Sequence, residues 1–235
     1  MKKFFLIALL LVCVQPLRAQ LFTGENVLNN ENIDLQRWSW GYFLGFNTYD
    51  LNFDYKEIPG NKFLRKDFVV DRTIGFNVGL VGNLRLTNHL DLRLEPGVAF
   101  NRINFQVTKA DPDTFREINS TYVHIPLLLK FSAQRLNNFK PFVVGGLSTS
   151  LNLSSNENNP EDNRDGQFRM TTNSYYYELG FGIDFYLYYF KFTPSIRGVF
   201  AINDELIRDE NPNSIYTGNV AKMSSRAVFI NFTFQ

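Results

Sequence analysis

An all-β fold, an eight-stranded antiparallel up-and-down barrel, is what the sequence predicts, and three observations predict it. Apolar and polar residues alternate with a period of two along eight separate stretches. The connections between those stretches alternate between long and short without exception. The parity opposite the apolar one carries glycines and small polar groups, which suit a narrow, filled interior better than a solvated exterior. A soluble barrel would turn its apolar rows inward around a cavity, whereas this pattern turns them outward. The barrel is then transmembrane and of the outer-membrane type.

The first strand runs from Trp38 to Phe53. Trp40, Tyr42, Leu44 and Phe46 share one parity, and Tyr49, Leu51 and Phe53 the other. A slip of this kind marks either a β-bulge or the edge of the membrane zone. The second strand sets Ile74, Phe76, Val78, Leu80, Leu84 and Leu86 against Gly75, Asn77, Gly79, Asn83 and Arg85. The third sets Leu90, Leu92, Leu94, Val98 and Phe100 against Asp91, Arg93, Glu95, Gly97 and Ala99. It slips after Phe100, where Ile103, Phe105 and Val107 take over. The fourth carries Val123, Ile125, Leu127, Leu129 and Phe131, with Pro126 and Leu128 as apolar exceptions on the other parity. Val143 to Leu153, Tyr175 to Leu187, Phe190 to Phe200 and Val228 to Phe234 complete the set.

Asp54 to Arg72, Thr108 to Ser120, Ser154 to Ser174 and Asn203 to Ser224 are the long connections; Thr87 to His89, Gln134 to Lys140 and Tyr188-Tyr189 are the short ones. In a meander all long connections then fall at one end, as in barrels with short periplasmic turns and longer external loops. An even strand number places both termini on the periplasmic side. Trp38, Trp40, Tyr42, Tyr175, Tyr177, Tyr188 and Tyr189 sit at strand ends and fit two interfacial girdles. The chain closes on Phe232-Thr233-Phe234-Gln235, close to the terminal aromatic pattern of such barrels.

Ahead of the barrel, residues 1–19 read as a signal peptide: basic Met1-Lys2-Lys3, an apolar run from Phe4 to Val14, and Leu17-Arg18-Ala19 as a loose small-residue cleavage site. A lipoprotein signal with Cys13 lipidated is the alternative, and Val12 stands where it would need Gly or Ala. Residues 20–37 form a periplasmic extension whose Asn-rich composition argues against a stable fold of its own; 38–235 form the barrel. Cys13 is the only cysteine, so cleavage leaves no disulfide to hold the mature chain. Closure of the sheet must do so, because lipid offers no partner to an unpaired strand edge.

Composition removes other classes. The 24 basic and 23 acidic side chains nearly cancel, against a nucleic-acid binder that neutralises phosphates. Aromatics make up 16% while mean hydropathy is only −0.19, which fits neither a helical membrane protein nor a disordered chain.

With apolar rows outward, the inward parity gathers Arg85, Arg93, Arg102, Lys130, Lys191 and Arg197 with Asp91, Glu95, Glu178 and Asp184. Eight strands leave an interior only wide enough for side chains to fill. A plug of paired charges is expected, since any left alone would be costly. Catalytic readings are weaker. His124 shares the inward parity but lacks a hydroxyl two residues on, and His89 lies in a turn. Glu178 and Asp184 stand roughly 20 Å apart on one strand, too far for a glycosidase pair. Glu161-Asp162-Asn163-Arg164-Asp165-Gly166 imitates part of a calcium loop but has Thr172 at the twelfth position. Gly145-Gly146 and Gly180-Phe181-Gly182 fall within strands and read as barrel packing. No catalytic, metal or cofactor site and no small-molecule substrate is expected.

The stretch Trp40-Gly41-Tyr42-Phe43-Leu44-Gly45-Phe46-Asn47, continuing into Leu51-Asn52-Phe53-Asp54-Tyr55, resembles the first strand of the PorT (SprT) proteins of Bacteroidetes-type bacteria. Three further segments are similar to that family's pattern: Val123 to Phe131, Lys140 to Gly146, and Gly180 to Phe185 followed by Phe190 to Arg197. The elements Ile125 to Phe131 and Gly180 to Phe185 are shared with a broad class of small outer-membrane barrels from those bacteria, so the first strand carries most of the specificity. The resemblance implies a non-enzymatic component of the type IX secretion system, which exports proteins to the cell surface and supports gliding motility. Its implied partners are outer-membrane lipids and other secretion-system proteins. A surface adhesion or host-interaction barrel acting through the long loops is the alternative, and a lipid-modifying barrel enzyme built on His124 a third.

Overall fold

The computed structural model describes residues 28–56, 68–107, 115–155, 157, 169–208 and 220–235. A short 3-10 turn, Glu31–Asp34, leads into twelve strand segments among these residues. In chain order they are β1 (Trp38–Tyr55), β2 (Phe68–Arg72), β3 (Ile74–Arg85), β4 (Leu90–Leu94), β5 (Gly97–Val107), β6 (Phe115–Ser132), β7 (Phe139–Asn152), β8 (Arg169–Met170), β9 (Asn173–Tyr186), β10 (Lys191–Ala201), β11 (Leu206–Ile207) and β12 (Val220–Phe234).

Every pairing is antiparallel, and the sheet returns to its start: β1 pairs with β3 on one side and with β12 on the other. From β12 the ladder passes through β10, β9, β7 and β6 to β4 and β5, which pair back onto β3. β4 and β5 are one stave. Gly82↔Leu94 and Gly79↔Gly97 lie in one register, and the gap between them is Glu95-Pro96, where proline has no N–H to give. Pro96 O still accepts from Leu80 N at 2.9 Å, and Glu95 N donates to Pro126 O at 3.2 Å. β2 and β3 are likewise one stave, broken at Thr73. From Arg72↔Ile103 to Phe76↔Phe100 one extra residue is inserted, a bulge that bends the stave. The ring therefore has eight staves, as the periodicity predicts.

The wall faces two ways. On β1, Phe43, Asn47, Tyr49 and Leu51 are buried while Trp38, Trp40, Tyr42, Leu44 and Phe46 are exposed. The same division continues around the ring, leaving Leu80, Leu129, Leu147, Phe181 and Ile196 on the outer face. For a ring this small, such a belt of exposed Leu, Ile and Phe is stable against hydrocarbon and not against water.

The parity slip in the first strand is not a bulge. The β1–β12 register runs unbroken from Tyr42↔Phe234 to Asp54↔Lys222, and odd-numbered residues keep facing inward. What changes is the surroundings. Above Phe46 the outer row becomes Thr48, Asp50, Asn52 and Asp54, while the inner row becomes Tyr49, Leu51 and Phe53. The wall has left lipid, so the greasy side reverses. β12 does the same, with Val228 and Ile230 outward below and Lys222, Ser224 and Arg226 above. So does β5, where Ile103 is buried and the register with β6 is continuous. Arg102, expected inside, is on the outer face beside Phe100, because in this upper zone the outer row is the polar one. The side chains of Phe105 and Val107 lie outside the described residues.

The strands thus continue past the apolar belt into a segment with an interior core of its own. Tyr49, Leu51, Ile103, Tyr122, Tyr176, Val199, Met223 and Phe229 pack there, joined by Met170 and Leu206 from the β8–β11 ribbon in the long connections. Pro126 and Leu128, the apolar exceptions on β6, point inward; Leu128 packs with Phe142 and Val144 lower in the barrel.

Candidate functional site

Seven of the ten expected lumen charges are buried: Arg93, Glu95, Lys130, Glu178, Asp184, Lys191 and Arg197, while Arg102 is on the outer face. Arg85 and Asp91 are opposite each other in the β3–β4 register but stand at the short-turn rim, half-buried. Arg85 reaches down to the turn, donating to Thr87 O at 3.4 Å and Asn88 Oδ1 at 2.8 Å.

The buried charges fall into two layers. In the lower one, Lys130 Nζ donates to Asp184 Oδ2 at 2.6 Å and Thr193 Oγ1 to Asp184 Oδ1 at 2.7 Å. The ammonium also lies 4.1 Å from the centre of the Phe142 ring. In the upper layer, Glu95 is gripped by Arg93 and by Arg197 Nη1 at 2.8 Å. Arg197 Nε lies 2.8 Å from Glu178 Oε2, and His124 Nε2 meets Glu178 Oε1 at 2.7 Å. Arg93 Nη2 extends the chain to Thr233 Oγ1 at 3.1 Å. Strict inward alternation on six staves brings these groups together, and each charge is close to one of opposite sign.

Two uncharged sets complete the filling. Asn77 Nδ2 donates to Asn231 Oδ1 at 2.7 Å and Asn101 Nδ2 to Asn47 Oδ1 at 3.1 Å, which ties β1, β3, β5 and β12. Above them Tyr49 stacks on Tyr122 with ring centres 5.2 Å apart, and His124 sits edge-on to Tyr176 at 5.9 Å. A void of about 10 Å3 between Phe43, Glu95, His124, Arg197 and Phe229 leaves room for one water at most.

Each end holds a bonded segment among the described residues. At the long-loop end the buried Glu205 accepts from Tyr176 Oη at 2.7 Å and from Ser225 N at 2.6 Å, drawing the β8–β11 ribbon over the opening. At the short-turn end Asp34 accepts from Tyr186 Oη at 2.8 Å and pairs with Arg135, whose guanidinium lies 3.7 Å from the Tyr186 ring centre. Residues 28–37 are therefore ordered by docking on the barrel mouth. Sequence reasoning missed Glu205 and the Asp34–Arg135 pair, because neither lies on a periodic stretch.

His124 is 4% exposed and packed among aromatic rings, so no substrate reaches it. His89 Nδ1 is 3.1 Å from Ser132 O in the turn. The calcium-like segment 161–166 and the signal segment 1–19 lie outside the described residues. Among the described residues no group of His, Cys, Asp and Glu is placed to hold a metal ion.

The sequence matches the model of the family described as "Outer membrane protein beta-barrel domain" over residues 19–206. No curated protein matches it. Among solved structures it is similar to the outer membrane protein OprG from Pseudomonas aeruginosa, at 14% identity over 83% of this chain and 94% of that one, with a TM-score of 0.52. The outer membrane protein AlkL, solved in lipid bilayers, is similar at 12% identity over 83% and 90%, with a TM-score of 0.45. Neisserial surface protein A is similar at 12% identity over 84% and 98%, with a TM-score of 0.42.

Proposed function

Because the chain belongs to the outer membrane protein beta-barrel domain family, and so lies in the bacterial outer membrane, we propose that it is a non-enzymatic, membrane-embedded partner in protein export to the cell surface. The specific reading is a PorT-like component of the type IX secretion system. The resemblance of Trp40 to Tyr55 to the PorT first strand names the system. The observation that carries the mode of action is the packed lumen: among the described residues two layers of paired charge, an asparagine set and an aromatic layer occupy it. Such a barrel offers no conduit to a cargo protein. It acts instead by holding other secretion proteins at the membrane through its long loops or its short-turn face.

Deletion of the gene tests this. Surface delivery of secreted cargo is expected to stop while the outer membrane stays intact, and normal export in the deletion strain rejects the reading. Replacing the long loops by short turns separates it from the adhesion alternative: loss of surface binding with export untouched supports adhesion.

A further inference from the structure

We propose that the outer wall carries a binding site for the phosphorylated headgroup of an outer-leaflet lipid, built by Arg72 and Arg226 around Asp50, with Arg102 beside them.

The register sets these residues at one height. Asp50 faces Arg226 across β1–β12, and Thr48 faces Ile74 across β1–β3. Arg72 follows at the head of the neighbouring stave, and Arg102 stands on β5 next to it, opposite Asn119 of β6. This is the height at which the outer row turns from apolar to polar. Below it lie Phe46, Val228 and the stacked pair Phe76 and Phe100, whose ring centres are 4.7 Å apart. Lipid headgroups occupy that boundary.

The charge does not balance within the cluster. Asp50 Oδ2 takes Arg226 Nε at 2.7 Å, Arg226 Nη2 at 2.6 Å and Arg72 Nη2 at 2.9 Å. One carboxylate therefore fixes two guanidiniums side by side and neutralises only one of them. Asp50 is nearly covered, at 12% exposure, whereas Arg72 and Arg226 are 59% and 51% exposed. Two fixed guanidiniums with further N–H groups free to point outward suit a phosphate, which accepts paired N–H bonds.

Space for the lipid adjoins the charge. A hollow of about 110 Å3 lies between Thr48, Asp50, Arg72, Phe200, Arg226 and Val228. A larger groove of about 470 Å3 runs between Ile74, Phe76, Phe100, Arg102 and Asn119, with an apolar floor that fits an acyl chain. The site is one-sided. At the corresponding height on β7 and β9 and just past the end of β10 the described outer residues are Leu151, Tyr175, Tyr177 and Ile202, with no charge among them. A general basic collar would not be confined in this way.

The test is native mass spectrometry of the purified full chain in detergent, titrated with lipid A carrying both phosphates and with the same lipid stripped of them. The intact protein is expected to retain the phosphorylated form at least about tenfold better, and R72Q/R226Q to lose that preference. Arg102→Gln, which removes a guanidinium bonded through Nε to Asn119 Oδ1 at 3.0 Å and leaves the Asp50 pairing intact, reads the site even if the double variant fails to fold, with a loss of about threefold. Arg85→Gln at the other end is the control. Equal retention of both lipids, wild-type retention by R72Q/R226Q, or full displacement by millimolar inorganic phosphate overturns the proposal.

Discussion

Lys130 and Asp184 meet at 2.6 Å across the lower lumen although β7 stands between the strands that carry them. Their pairing spans the interior and does not follow the ladder, so it reports on how the barrel is filled.

Removing one partner leaves a buried charge alone. Asp184→Asn or Lys130→Met is expected to destabilise the barrel by roughly 3–5 kcal/mol, while the double change K130M/D184L recovers most of that loss. The temperature at which the folded band disappears in heat-modifiable gel mobility measures both.

Phe43 is packed over two glycines. It faces Gly79 across β1–β3, and Gly79 faces Gly97 across β3–β5. A Cβ at position 97 would stand 2.8 Å from the ring. Gly97→Val is expected to cost about 1–3 kcal/mol, and Phe43→Leu in the same chain to relieve part of it. Urea unfolding in detergent, followed by tryptophan fluorescence, separates the two variants.

Asp204 secures the β11 segment by accepting from Met223 N at 3.0 Å, from Leu206 N at 3.3 Å and from Arg208 at 2.7 Å. Burial raises its pKa, but the Met223 amide, Arg208 and the Leu206 amide together lower it below the ordinary 3.8. A depressed folded value means that the stabilisation is complete above the unfolded value and is lost as pH falls through the folded one. Hydrogen exchange at Leu206 and Met223 is therefore expected to stay protected near neutrality and to lose protection only below the usual carboxylate range. In Asp204→Asn that acid step is absent.

The filled lumen has an electrical consequence. The purified protein reconstituted in planar bilayers is expected to give no stepwise current. Regular single-channel steps from the wild-type chain would mean that the paired charges leave a path.

The stave count and the inward charges on β4, β6, β9 and β10 were legible because a half-buried strand writes its faces into alternate residues. Arg102 was misplaced because reading inside from outside assumed one surrounding medium along each strand. Two media meet near Phe100, and the rule inverts there while the backbone continues straight on. The ribbon of β8 and β11 is two residues on each side, too short for any period to show. The break at Glu95-Pro96 was invisible as a break because inward and outward faces keep step across it. Glu205 and Asp34 act through single contacts between segments distant in sequence, which no local pattern encodes.

Past Asp50, β1 runs on to Tyr55, and β12 enters from Val220, so on these two staves the wall rises roughly 15 Å beyond the level of the arginines. The loops consequently spring from a stiff pedestal with a water-excluding centre. A partner would dock at a fixed standoff from the bilayer, and shortening that pedestal by whole turns of the pleat would lower the docking height without altering the surface it touches.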